Sequence, residues 1–290
     1  MDRKGLVITD SASDISAADE KKYGIDILNY KVALGDEIYT SRVDFDNEKF
    51  YEMMAGYDGL PTTSQITTFQ FQDYYEEKFE EGYTDLIFVL INSKGSATFS
   101  NAIYARQLFF EEHPECKDKI NIHLFDGANY TGGYGEVALE AAIMLQEGKK
   151  IEEITRYVEQ KLLKRVIYFG MYSLKYAAKS GRIPSAAAFV GEALGLKPVM
   201  RIFDHSIVTA KKAHGEKRLI PTIADLVVSE IAPNTPYSLV YGSDASVAEV
   251  MSKVMTERLG YPPVRSFQIG AAIAVNAGPK VVGVIFDSKD

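Results

Sequence analysis

The side chains placed to do chemistry in this chain are mostly uncharged hydroxyls. Thr62-Thr63-Ser64-Gln65 follow Leu60-Pro61. Ser93, Ser96 and Thr98 cluster just after the apolar run 85–91, and Ser11 and Ser13 follow a shorter run at 6–9. Hydroxyls and backbone N–H groups can hold a carboxylate without an ionised partner. With no evident general base, they cannot be strong nucleophiles. Singly, each is accounted for as a helix N-cap or a turn residue. Together, at the ends of successive strands, they point to a ligand site.

Other chemistries find less support. His113, His123, His205 and His214 show no helical ligand spacing, and there is no H-E-x-x-H and no cysteine pair. They read as surface or turn histidines, with no metal site expected. Gly132-Gly133-Tyr134-Gly135 lies between a strand and a helix, where a pyrophosphate could sit. The spacing is not G-x-G-x-x-G, and a tight turn or close helix packing accounts for it better. There is no phosphate loop and no G-x-S-x-G elbow. Cys116, the single cysteine, follows Glu115, which opposes thiolate formation. No catalytic residue and no cofactor are expected.

A formal net charge of −8 argues against a nucleic-acid partner. No stretch approaches the ~18 apolar residues of a membrane span. Residues 1–10 hold too few apolar positions for a signal-peptide core. With one cysteine, these features point to the cytoplasm.

The elements that must position these residues alternate. In the first half, LVIT (6–9), DLIFVLI (85–91) and INIHLF (120–125) read as strands. Helices fall between them, one capped by Ser16 and closed by Gly24, one started by Asp46 and one by Thr68. LPTTSQITT reads as a loop. Residues 25–34 look extended, with Gly35-Asp36 turning into EIYT. This alternation implies a parallel sheet whose C-terminal strand ends carry the ligand. In the second half, PVMRIF and SIVTA flank the turn Asp204-His205, an antiparallel element. A helix near 216–231 follows, and VRSFQIGAAIAV (264–275) and KVVGVIFD read as strands. The expected class is α/β, with a Rossmann-like domain over 1–160 and a second α/β domain over 161–290.

At the hydroxyl positions the chain resembles the DegV family, which includes the fatty-acid-binding subunit of bacterial fatty acid kinase. Asp10-Ser11-Ala12-Ser13-Asp14 resembles the family's D-S-x-x-D, and Pro61-Thr62-Thr63-Ser64-Gln65 its T-S-Q segment. Ser93-Lys94-Gly95-Ser96-Ala97-Thr98 is similar to S-x-x-S-G-T. Leu174-Lys175 through Ser180-Gly181-Arg182-Ile183 resembles L-x-x-L-x-x-x-G-R-I, and Gly191 with Leu196-Lys197-Pro198 the segment after it. Two departures stand out. Asn276 occupies the place of the histidine of H-x-G-P-G, so an amide donor replaces a potential cation. Ala97 replaces the glycine of S-G-T.

The resemblance implies a two-domain DegV-like fold with a fatty acid in a tunnel between the domains. It implies that Thr63, Ser96, Ser93 and Asn276 bind the acyl carboxylate, with Thr62, Ser64, Thr98, Ser11 and Arg182 at the rim. Ala186, Ala187 and Ala188 are candidate tunnel positions. The implied role is that of a carrier with no catalysis of its own. It would present the carboxylate of a long-chain fatty acid to a separate ATP-dependent fatty acid kinase, carry the acyl phosphate, and touch a membrane acyltransferase transiently. Two alternatives differ in class. One is a lipid-sensing regulatory protein. The other is a small hydrolase or transferase using Ser96 or Thr63, which needs a base within reach.

Overall fold

A computed structural model describes residues 3–183 and 195–289. Ala186, Ala187, Ala188 and Gly191 lie outside the described residues. The first sheet is built on β1 (Gly5–Asp10), flanked by β2 (Asp26–Leu28) and β6 (Asp85–Leu90), with β7 (Asn121–Asp126) outside β6. All neighbours in the order β2-β1-β6-β7 run parallel. Every residue of β6 is buried, which is why it reads as an unbroken apolar run.

The crossover helices follow from their caps. Ser16 Oγ accepts from Asp19 N (3.0 Å) to open α1 (Ala17–Tyr23), and Gly24 closes it at φ 62. Asp46 opens α2 (Asn47–Gly56). The cap of α3 (Thr68–Glu80) is Thr67 rather than Thr68, because Gln70 completes a capping box with Thr67. α4 (Thr98–Glu112) stops ahead of Pro114. α5 (Gly132–Gln146) starts with the glycine run itself, so those glycines form its first turn. A Cβ at Gly135 would lie 2.2 Å from Ser13 O, so the run serves close packing. α6 (Ile151–Leu162) places Ile151, Ile154 and Val158 in the same core at helical spacing.

The segment expected to be a loop at 60–68 holds a strand. β3 (Lys31–Leu34), β4 (Glu37–Thr40) and β5 (Thr62–Ser64) form a small antiparallel sheet in the order β4-β3-β5. β5 is only three polar residues long, and its extended form comes from pairing with β3.

The second sheet contains β8 (Arg165–Met171), β9 (Leu196–Phe203), β10 (Ser206–His214), β11 (Tyr237–Tyr241), β12 (Arg265–Gln268) and β13 (Val281–Asp287), in the order β10-β9-β8-β13-β11-β12. Only the β11–β12 pair is parallel. Asp204 (φ 44) and His205 (φ 64) form the two-residue turn between β9 and β10, and positive φ at both suits the twist of a hairpin. α7 (Lys175–Ser180) follows β8. α8 (Glu216–Glu230) and α9 (Ala245–Leu259) bury one face of this sheet around Val282, Val284 and Phe286.

The strand expected over 264–275 divides. β12 ends at Gln268, and α10 (Ala271–Ala277) begins after Gly270. Gly270 N donates to Asp14 Oδ1 (2.8 Å), and the alanine-rich run after it is good helix former. Among the described residues, no helix is long and apolar enough to cross a membrane.

Candidate functional site

The free face of the second sheet and the strand ends of the first enclose a cavity of about 860 Å³. That is at the large end of the range for small-molecule sites. Its floor is a row of apolar side chains. Ile167 on β8 stands opposite Ile202 on β9, which stands opposite Ile207 on β10, and all three line the cavity. Phe169, Val240 and Val281 extend this apolar face. Opposite lie Ala12 after β1, the segment 91–97 after β6, Tyr130-Thr131 after β7, and α10. The convergence of polar loops expected from a parallel sheet is therefore present.

The hydroxyls gather at one part of this lining. Thr63 pairs with Val32 across β3 and lines the cavity. Because strand side chains alternate, Thr62 and Ser64 take the other face, where both are exposed and outside the lining. Ser96 Oγ lies 3.0 Å from Tyr30 Oη and 3.0 Å from Thr98 Oγ1, and Thr98 Oγ1 lies 2.7 Å from Tyr30 Oη. Burial pushes the Tyr30 phenol up, so it stays a neutral hydroxyl. Three hydroxyls in a ring can use every proton internally, and turning one proton outward supplies a donor for an incoming oxygen. Thr98 is fully buried in this ring and outside the lining. Ser11 is also outside it, since its Oγ accepts from Tyr30 N (3.0 Å). Ser11 touches the cavity lining through Tyr30, and Thr98 through Tyr30 and Ser96.

The loop that carries Ser93 and Ser96 is tied down from within. Gly95 N and Ser96 N both donate to Asn92 O (2.9 and 3.2 Å), and Ser93 N donates to Asp126 Oδ1 (3.1 Å). These three backbone donors are spent, which leaves the neighbouring side chains as donors in their place. A Cβ at Gly95 would lie 2.3 Å from Tyr130 Oη, which makes glycine the fitting residue there. Ala97, by contrast, has an ordinary negative φ of −74 and lines the cavity, so its methyl is accommodated. Asn276 also lines it, from the last turn of α10. Its Nδ2 donates to Ala272 O (3.2 Å), leaving a second amide proton and Oδ1 without a protein partner among the described residues. Arg182 is exposed at the edge, with Nη1 on Ser180 O (2.8 Å).

Several lining residues escaped the sequence reading. Tyr30 sits in the break between β2 and β3, and nothing local marks it beyond the abundance of tyrosine. Tyr130 and Lys94 flank Gly95. His205, which reads as a turn histidine, lines the cavity from the tip of the β9–β10 hairpin.

Two buried aspartates hold this architecture. Asp10 accepts from Tyr134 Oη (2.6 Å), Ile91 N (2.8 Å) and Ala12 N (3.0 Å), tying the ends of β1 and β6 together. Asp14 Oδ1 takes Gly270 N, while Oδ2, with the Thr131 hydroxyl nearby, makes no well-formed hydrogen bond among the described residues. Burial pushes the Asp14 carboxyl up to about 7 and that of Asp10 up to about 6. A carboxyl whose folded value is raised supports the fold fully below its unfolded value, 3.8, and that support is lost as pH rises through the folded value. Urea titrations from about pH 4 to about 8 should therefore separate wild type from Asp14→Asn. The wild type is expected to lose stability relative to the variant as pH climbs to about 7. Parallel curves would remove Asp14 from this account.

Comparison with known proteins agrees with this geometry. The family model for uncharacterised proteins of the DegV family matches residues 4–289. A DegV domain-containing protein of Clostridium perfringens is 30% identical over 282 residues, covering 97% of each chain. Among solved structures, a stearic-acid-binding protein from Eubacterium ventriosum superposes with a TM-score of 0.87 at 23% identity, covering 99% of this chain and 98% of its own. DegV of Bacillus subtilis, described as a fatty acid binding protein, gives 0.83 at 25% identity, covering 99% and 100%. With its parallel first sheet, its largely antiparallel second sheet and a match from end to end, the chain belongs to the DegV family.

Proposed function

We propose that this protein binds a long-chain fatty acid in the cavity, with the tail on the isoleucine row and the carboxylate at Thr63, Ser93, Ser96 and Asn276. The observation that carries this reading is one cavity with an apolar floor and a cluster of neutral hydroxyls in its lining. The tail supplies most of the affinity. Each buried CH₂ contributes about 0.8 kcal/mol, so roughly 14 of them give about 11 kcal/mol before ordering costs. The hydroxyls fix orientation. The cavity lies between a domain ending near residue 160 and the domain that follows.

The protein acts as a carrier in this reading. It presents the carboxylate to a separate ATP-dependent fatty acid kinase and carries the acyl phosphate, so phosphoryl chemistry belongs to that partner. The hydrogen-bond partners of Ser96 Oγ support carriage over hydrolysis. Among the described residues they are hydroxyls and the backbone N–H of Thr98, with no imidazole or carboxylate. Native mass spectrometry of protein made in bacteria is expected to show one co-purifying acyl chain, exchangeable with added fatty acid. Finding no lipid and no uptake of added fatty acid would sink the reading. A pull-down that recovers a non-kinase partner would favour a lipid-sensing regulator using the same cavity.

A further inference from the structure

We propose that His205 is a head-group residue of this cavity: its imidazolium Nε2–H donates to the acidic end of a bound lipid, so the site takes up a proton with its ligand. The proposal rests on the fatty-acid reading above. His205 is the second residue of the β9–β10 turn, and that hairpin tip docks on the strand-end loops of the other sheet. His205 N donates to Ala128 O (3.1 Å), and His205 O accepts from Asn92 Nδ2 (3.0 Å). The ring is fixed as well, with Nδ1 at 3.0 Å from Asn92 Oδ1.

These contacts assign the proton. Asn92 is oriented from two sides, since Nδ2 donates to His205 O and Oδ1 accepts from Lys94 N (2.9 Å). An amide oxygen only accepts, so Nδ1 must carry hydrogen. Nε2 is then a lone pair in the neutral ring and a second N–H in the imidazolium. That nitrogen has no protein partner among the described residues, and His205 is one of the residues that line the cavity. A neutral ring offers Nε2 as a lone pair, which opposes a carboxylate, whereas a protonated ring offers a donor. The ring also belongs to the head-group region by construction. It is anchored to Asn92, whose carbonyl holds Gly95 N and Ser96 N.

The charged and titratable groups around the ring come from every neighbouring segment. Asp126 Oδ2 lies 3.6 Å from Nδ1. Asp204 precedes His205 in the turn, and Lys94 follows Asn92 and Ser93. Tyr130 and Arg182 line the same cavity, and burial pushes the Tyr130 phenol up to about 12. Of these side-chain types, imidazole is the one whose charge ordinarily changes between about pH 5 and 8. Asn276 supplies no charge at this site. The raised carboxyls of Asp10 and Asp14 are common to wild type and a His205 variant, so the difference in proton uptake between the two reports His205.

Calorimetry at neutral pH in two buffers of different ionisation heat counts the protons taken up. Monomeric dodecanoate is the probe and dodecanol the uncharged control. Wild type is expected to take up a fraction of a proton with dodecanoate and none with dodecanol. His205→Asn suits the left-handed backbone at this position and should fold normally. It is expected to abolish the uptake and weaken dodecanoate about tenfold, leaving dodecanol unchanged. Dodecanoate binding with no proton uptake, or with equal uptake in the variant, overturns the proposal and leaves the fatty-acid reading standing. Failure of both lipids to bind overturns both.

Discussion

Ile202→Trp is expected to weaken long-chain fatty acid binding by about a thousandfold while the protein still folds. Ile202 is the middle of the cavity-floor row, with Ile167 on one side and Ile207 on the other. It is 4% exposed and faces the cavity. Tryptophan is well tolerated on strands, and the 860 Å³ cavity has room for the ring. That room is taken from the ligand. Displacing about five methylenes forfeits about 4 kcal/mol, which converts to about three decades in Kd. Ser96→Ala removes one neutral hydrogen bond and should cost only about 0.5–1.5 kcal/mol, because the tail still anchors the lipid. Displacement of a fluorescent fatty acid measures both, with the melting curve as the control for folding. If the tryptophan variant binds as tightly as wild type, the tail does not lie on this row. A serine variant that loses more than the tryptophan variant would reverse the division of labour between tail and head.

The contrast between floor and head group also explains what could be read from the sequence. β6 announces itself because burial on both faces demands an apolar residue at every position. Ser16, Gly24 and the Asp204-His205 turn are local devices, and local chemistry specifies them. β5 is different. Thr62-Thr63-Ser64 has the composition of a loop, and it is extended only because β3 pairs with it. The run AAIAV after Gly270 is short and apolar, so periodicity alone does not separate strand from helix. The helix there follows from the bond between Gly270 N and Asp14, a contact across 256 residues. The same limit applies to the site. Thr63, Ser93, Ser96 and Asn276, the proposed carboxylate residues, are visible as polar residues beside strands or in recognisable segments. Tyr30 joins Ser96 across 66 residues and His205 joins Asn92 across 113, and no window of sequence holds both partners.

Arg165→Met is expected to destabilise the protein by about 3–5 kcal/mol, the cost of leaving a buried charge without its partner. Arg165 is 2% exposed at the start of β8. Its Nη2 bonds Glu136 Oε2 of α5 at 2.5 Å, and its Nη1 lies 3.2 Å from Asp287 Oδ1 at the end of β13. Ser238 on β11 donates to Glu136 Oε1 (2.7 Å), so one carboxylate from the first sheet's helix is held by two strands of the second. Asp287 keeps Lys161 (2.6 Å) when the arginine is gone. Among the described residues Glu136 keeps only Ser238 at hydrogen-bond distance, with Arg265 Nε at 3.8 Å. The uncompensated charge is therefore mainly Glu136, and the double variant Glu136→Gln with Arg165→Met should recover part of the loss. Thermal denaturation reads both, with a drop of roughly 10 °C expected for the single variant. Because this bridge ties α5, which begins directly after the lining residues Tyr130 and Thr131, to the sheet that carries the isoleucine floor, weakening it should also loosen lipid binding. Added fatty acid should then raise the melting temperature of the variant less than that of wild type at equal lipid concentration. An Arg165→Met protein with wild-type stability would show that the bridge is solvated and adds little to the other contacts that join the two sheets.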